Sequence, residues 1–241
     1  MNHNSTALVT GANKGIGKEI TRQLVAAGLT VYLGSRDGDR GRRAAEEIGG
    51  DVRPLTLDVT DAASIAEAAR RVDTLDVLVN NAGIMVDFAS ATEADLDSFR
   101  RTYDTNVFGV IAVTNAFLPA LRRSASPRIV NVSSGTGSLT WSGDPNREFA
   151  MSAGGAAAYR SSKTALNALT LFYAQTLAGE GFKVNALAPG LRATDLNARA
   201  TASAGAGDPA EAAEGAVRLA LLPGDGQTGG FHSWDGTPVP W

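Results

Sequence analysis

Short runs of β-branched and aliphatic residues alternate along the chain with longer stretches whose apolar positions recur every three or four residues. The runs at 7–10, 30–35, 52–57, 77–80, 128–133, 183–188 and 230–234 predict seven strands. Positions 15–27, 39–48, 62–71, 95–121, 159–178 and 211–221 predict helices, with Gly28 and the Gly49-Gly50 pair as stops. This alternation predicts an α/β fold, a doubly wound parallel sheet of about seven strands with helices on both faces. The strands are nearly continuous in apolar residues, as expected where both faces are covered. No Pro/Ser-rich linker and no internal repeat divides the chain, so positions 1–241 read as one domain. Two stretches rich in Gly, Ser and Ala break the rhythm, 135–158 and 191–208. Each follows a strand C-terminus, the edge where open α/β sheets bind ligands.

Composition narrows the chemistry. The 241 residues are 44% hydrophobic and 20% charged, with a formal net charge of −3. That supports a folded core and gives no basic surface for nucleic acid or an acidic membrane. Cysteine is absent, which excludes disulfides, thiolate metal sites and a cysteine nucleophile. The two histidines, His3 and His232, are too few and too far apart to suggest a metal site. No apolar run reaches about 18 residues and no secretory signal pattern opens the chain, so the expectation is a cytoplasmic protein.

The first predicted strand runs into Thr10-Gly11-Ala12-Asn13-Lys14-Gly15-Ile16-Gly17 and then a helix. Glycines at such a turn let backbone approach a pyrophosphate, and the helix N-terminal N–H groups meet its charge. The spacing is G-x-x-x-G-x-G, and no Lys-Ser/Thr pair closes it as a Walker loop would require. A site reading NAD would place Asp or Glu at the end of the second strand. Here Ser35 and Arg36 stand there. A neutral residue removes repulsion of a 2′-phosphate, and a guanidinium binds one in a fork, with Lys14 as a second cation. These residues favour NADP(H). Asp58 and Val59, ending the third strand, are candidates to edge the adenine. Asn81, Ala82 and Gly83, after the fourth, suit a backbone passing close to the cofactor.

Tyr159 and Lys163 lie four apart at the start of a predicted helix and so share a face. A nearby ammonium is expected to lower the tyrosine pKa, making the phenol a proton donor or acceptor for a carbonyl/alcohol pair. Ser133-Ser134 ends the fifth strand on the same sheet edge, where a hydroxyl can hold a substrate oxygen. Asn106, inside the long predicted helix, is a poor helix former and a candidate to hold a water linking Lys163 to solvent.

Together these pieces resemble the short-chain dehydrogenase/reductase family along essentially the whole chain. The matching segments are TGANKGIG at 10–17, LDVTD at 57–61, NNAG at 80–83, TNVFG at 105–109, NVSS at 131–134, YRSSK at 159–163 and PG at 189–190. The resemblance implies a Rossmann fold with Tyr159 as general acid/base. It further implies that Lys163 binds the nicotinamide ribose, Ser134 orients the carbonyl and Asn106 completes a proton relay. By the same resemblance Pro189, Gly190 and Thr194 lie over the nicotinamide and its carboxamide, and 191–208 is a substrate loop. Tyr159 follows Ser134 by 25 positions, a longer interval than most members have, which resembles the carbonyl-reductase branch. An insertion there is expected to cover the helix surface used for tetramer assembly, favouring a monomer or homodimer.

The expected activity is NADPH-dependent reduction of a ketone or aldehyde. Alcohol dehydrogenation and imine or enone reduction use the same site. A non-catalytic NADP(H)-sensing module and a nucleotide-sugar epimerase are the competing classes. The sensor would be expected to lose members of the catalytic set, and the epimerase to carry a larger C-terminal domain. Trp141, Phe149, Met151, Ile84 and Met85 either line an apolar substrate pocket or anchor loops to the core. His232 reads as a polar surface position and His3 as tail.

Overall fold

The structure, a computed structural model, describes residues 5–146, 154–197 and 205–241. Seven parallel strands form one sheet: β1 (Thr6–Val9), β2 (Thr30–Ser35), β3 (Val52–Thr56), β4 (Val77–Asn80), β5 (Arg128–Val132), β6 (Lys183–Ala188) and β7 (Phe231–Ser233). Their spatial order is β3-β2-β1-β4-β5-β6-β7. The chain winds outward from β1 through β2 to β3, then returns to place β4 on the other side of β1. The switch point therefore opens between β1 and β4, where doubly wound sheets bind ligands. Pro54 is accommodated because β3 is an edge strand.

Strand residues alternate between two cores, as a period of two requires. Ala7, Val9, Val31, Leu33, Val79 and Val130 face helices α1 (Gly15–Ala26) and α8 (Pro209–Ala220), through Ile20, Leu24, Ala213 and Ala216. Leu8, Leu55, Leu78, Ile129 and Val184 face the other side, meeting α3 (Ala62–Arg70), α5 (Gly109–Leu121) and α7 (Ala157–Thr176) through Ile65, Val113, Phe117 and Ala174. Helix α2 (Gly38–Ile48) packs along β2 and β3.

The long helix expected over 95–121 is broken. It comprises α4 (Leu96–Tyr103), a π-helical turn (Asp104–Phe108) and α5. The extra residue of the π turn rotates Asn106 fully inward, and such turns frequently mark functional sites. By length and composition the Leu96–Leu121 run could cross a membrane, but half of its apolar window is buried inside the protein. The described part of the 135–158 insertion forms a short helix, α6 (Leu139–Gly143), docked on the C-terminal residue: Thr140 donates to the Trp241 carbonyl from both its N–H (3.1 Å) and its hydroxyl (2.7 Å). It does not extend over Phe108 or Phe172, which stay exposed on the π turn and α7.

Candidate active site

Helices α2, α3, α4 and α8 each begin with an aspartate, Asp37, Asp61, Asp95 and Asp208, whose side chain accepts hydrogen bonds from the first-turn N–H groups. Helix α1 has no such cap, and no acidic residue in its first turn. Its N–H groups are left for another acceptor, and the loop before it makes room. Gly11 and Gly15 sit at φ 62° and 56°, a region that side chains rarely adopt. A Cβ on Gly11 would come 2.9 Å from Ala82 Cα, and one on Gly17 2.7 Å from the Gly11 carbonyl oxygen. The phosphate loop and the backbone after β4 therefore meet at the switch point. A glycine-walled cradle ending at an uncapped helix fits a dinucleotide pyrophosphate.

Several expected cofactor residues also have partners within the protein. Asn81 donates through Nδ2 to the carbonyls of Thr10 (2.9 Å) and Gly11 (3.2 Å), so its amide fixes the loop. Thr10, which the sequence reading passed over, accepts from the Asn81 and Ala82 N–H groups, both at 3.0 Å. Ser35 is buried, and its hydroxyl donates to the Asp37 carbonyl at 2.8 Å. Lys14 pairs with Asp195 at 2.7 Å. Arg36 is exposed and has no ion-pair partner among the described residues. The Asp58 carboxylate turns to Thr60, accepting from its N–H (2.9 Å) and hydroxyl (2.7 Å). Val59 packs on Gly109. Asn13 and Ile16 complete the loop, half-buried. Across the cleft Thr194 Cγ2 lies 3.4 Å from where a Gly15 Cβ would be, so the segment after β6 closes over the cradle. Gly190, at φ 73°, turns the chain beside Trp234 just after Pro189.

Beside the cradle stand Ser134, Tyr159 and Lys163. Tyr159 comes from the first turn of α7, which is entered through Ala156 in the left-handed region at φ 55°. Two hydrogen bonds of 3.0 Å, from the N–H groups of Ala156 and Ala157 to the Phe88 and Ala89 carbonyls, hold that entry. The Ser134 hydroxyl acts on the phenol, lowering its pKa. It also pairs with Thr136 Oγ1 at 2.9 Å, a partner not anticipated. Lys163 is buried, with Nζ 5.7 Å from the Tyr159 ring centre and donating to the Val132 carbonyl at 2.8 Å. Asn167, one turn further along α7, accepts from Ser133 (2.5 Å) and donates to the Gly137 carbonyl (3.2 Å), bracketing the turn that carries Ser134.

The expected lowering of the tyrosine pKa is reversed. Burial pushes the Tyr159 phenol up to about 12, with the Ser134 hydrogen bond acting against it. Burial pushes Lys163 down to about 8. Desolvation penalises both charged forms, and the ammonium directs its hydrogen bond at a backbone carbonyl instead of the phenol oxygen. Asn106 is also differently employed. Its Nδ2 donates to the Ile84 carbonyl (2.9 Å) and Ser162 Oγ (3.0 Å), and its Oδ1 accepts from the Ile84 N–H (2.8 Å). Both amide hydrogens have protein acceptors, and the side chain fixes the Ile84 backbone. A Cβ on Gly83 would be 3.4 Å from both Asn106 Oδ1 and Lys163 Nζ, so these groups converge behind Tyr159.

Trp141 packs with Trp241 against Ala186, Ala188, Phe231 and Val239, the loop-anchoring alternative. Its ring also lies on Gly135, next to Ser134. Ile84 and Met85 are half-buried near the site. Phe149, Met151 and His3 lie outside the described residues. His232 is half-buried on β7, with Nε2 enclosed and without a hydrogen-bond partner among the described residues, unlike the surface position expected.

The short chain dehydrogenase family model matches residues 5–205. The (−)-isopiperitenone reductase of Mentha piperita is 36% identical over 95% of this chain and 96% of its own. Among solved structures, salutaridine reductase from Papaver somniferum superposes with a TM-score of 0.80 at 32% identity, covering 94% of this chain and 99% of its own. The NADPH-bound carbonyl reductase from chicken fatty liver gives 0.82 at 29% identity, covering 98% of both.

Proposed function

The chain belongs to the short-chain dehydrogenase family, and from that premise we propose that it is an NADP(H)-dependent oxidoreductase that reduces a ketone or aldehyde to an alcohol. The observation that carries this reading is the convergence of Tyr159, Ser134 and Lys163 beside the uncapped, glycine-walled start of α1. When bound, NADPH supplies the hydride.

The chain's own residues hold the carbonyl and supply the proton. The Tyr159 phenol, protonated through neutral pH at a pKa of about 12, is the general acid for the carbonyl oxygen. Ser134 stabilises that oxygen as negative charge develops. The Lys163 ammonium, charged below about pH 8, favours proton loss from the phenol. Asn106 keeps Gly83 and Ile84 against this group, its contribution to a proton relay being positional. Gly11, Asn13, Gly15, Ile16 and Gly17 would hold the pyrophosphate, and Asp58 and Val59 would flank the adenine. Ala82 and Gly83 would let the cofactor pass, while Pro189, Gly190 and Thr194 would cover its nicotinamide end. Arg36 is the cation for the 2′-phosphate, since Lys14 is engaged with Asp195.

The Tyr159 phenol, protonated at neutral pH, stands in the form that carbonyl reduction uses, while alcohol oxidation at the same site uses the phenolate. Phe88, Leu139 and Leu191 are exposed on the segments after β4, β5 and β6, and we read their apolar side chains as favouring an uncharged carbonyl compound. We read the 1–241 chain as one such domain, acting as a monomer or homodimer. The uncovered Phe108 and Phe172 rings favour the homodimer. The test is Tyr159→Phe on a panel of uncharged ketones and aldehydes with NADPH. A loss of about 10²–10⁴-fold with cofactor binding retained is expected. Turnover within a few-fold of wild type overturns the assignment.

A further inference from the structure

We infer that Arg192 is a positioning residue for the dinucleotide, holding the 189–194 segment against the phosphate loop; this rests on the cofactor reading proposed above. Arg192 is the surprise of the 191–208 stretch. It is buried, although most of its surroundings in sequence are Gly, Ala and Thr. A guanidinium keeps its charge wherever it is placed, so burial demands partners. Among the described residues it has three, from three different parts of the fold. Nε donates to the Pro189 carbonyl after β6 at 2.7 Å. Nη1 pairs with Glu211 of α8 at 2.5 Å. The guanidinium carbon stacks 4.4 Å from the ring centre of Trp234, just after β7.

The backbone closes around this side chain. The Gly207 N–H donates to the Leu191 carbonyl and the Ala193 N–H to the Gly207 carbonyl, each at 3.0 Å, so the two ends of the loop are zipped on either side of Arg192. A Cβ on Gly207 would run into the guanidinium, so a side chain there has to displace it. From this neck the chain reaches the cofactor cradle directly. The Thr194 N–H donates to the Arg192 carbonyl at 2.9 Å, and the Thr194 methyl group meets the Gly15 turn. One buried cation therefore fixes both the Pro189-Gly190 turn and Thr194. With the wall preformed, the cost of ordering it falls on folding and is not subtracted from cofactor affinity.

The test uses Arg192→Met, Arg192→Lys and Gly207→Ala, read by equilibrium NADPH binding through its fluorescence and by steady-state kinetics. Glu211 is half-exposed and can rehydrate when its partner goes. Arg192→Met is expected to bind NADPH about tenfold more weakly, the loss associated with a charged hydrogen bond. Its kcat at saturating cofactor should stay within about threefold. Arg192→Lys should fall between, keeping a charge for Glu211 but not the planar fork. Gly207→Ala keeps Arg192 but wedges the neck, should weaken NADPH in the same direction, and carries the test if Arg192→Met does not fold. Folded variants that bind NADPH within about twofold of wild type overturn the role of Arg192 alone. So does a fall in kcat with the NADPH dissociation constant unchanged. Wild-type protein that fails to bind NADPH overturns the cofactor reading and this inference with it.

Discussion

Replacing Lys163 with methionine separates what the ammonium does for chemistry from what it does to stability. The side chain is almost completely enclosed, and among the described residues its hydrogen bond goes to the Val132 carbonyl. Burial takes its pKa from 10.5 to about 8. Each pKa unit is worth 1.36 kcal/mol, so the charged form costs the folded state about 3 kcal/mol at neutral pH. Methionine removes that cost and leaves the Val132 carbonyl short of a donor, a loss of about 1–3 kcal/mol. At pH 7 the variant should therefore be as stable as wild type or up to about 2 kcal/mol more stable, although its reductase activity is crippled.

The pH dependence isolates the effect. Below pH 8 both folded and unfolded wild type carry the proton, and the penalty is complete. Between about 8 and 10.5 the folded protein has released a proton that the unfolded chain still holds, so wild-type stability rises with pH. Above 10.5 the penalty is gone. The stability difference between variant and wild type should move toward wild type by about 2–3 kcal/mol between pH 7 and pH 10. Other titrating groups are shared by the two proteins and largely cancel. Tyr159, whose ordinary value is 10, contributes mainly above the range sampled. Urea denaturation at the two pH values measures the difference. A difference that does not change with pH refutes the claim that Lys163 is held charged at a desolvation cost.

Two further outcomes follow from the same geometry. Arg36→Ala should weaken NADPH about tenfold or more while leaving NADH nearly unchanged, because only NADPH offers the 2′-phosphate to this exposed guanidinium; equal effects on both cofactors in parallel titrations remove Arg36 from that role. The kcat/KM for carbonyl reduction should be level below pH 8 and fall above it as Lys163 loses its proton, while the Tyr159 phenol stays protonated to about 12. A plateau that continues to pH 10 contradicts this.

Much of this molecule is legible in its sequence, because local patterns carry it. The alternation of apolar runs with three-to-four-residue periodicity determined the seven strands and their parallel arrangement, and pointed to the strand C-termini as the edge for a ligand; the strand order came from the structure. Tyr159 and Lys163 could be placed on one face of a helix by counting, and the Gly11, Gly15 and Gly17 turn by its setting between strand and helix. Tertiary structure alone decided where polar groups spend their hydrogen bonds. Asn81 and Asn106 look like cofactor and relay residues in sequence, yet their amides brace backbone 70 and 22 positions away. Lys14 is paired with Asp195, 181 positions on, and Arg192 with Glu211 and the Trp234 ring. The direction of the Tyr159 shift was likewise invisible. It depends on how completely water is removed from the phenol and the ammonium, a property of the packed cleft and not of the four-residue spacing that brings them to one face.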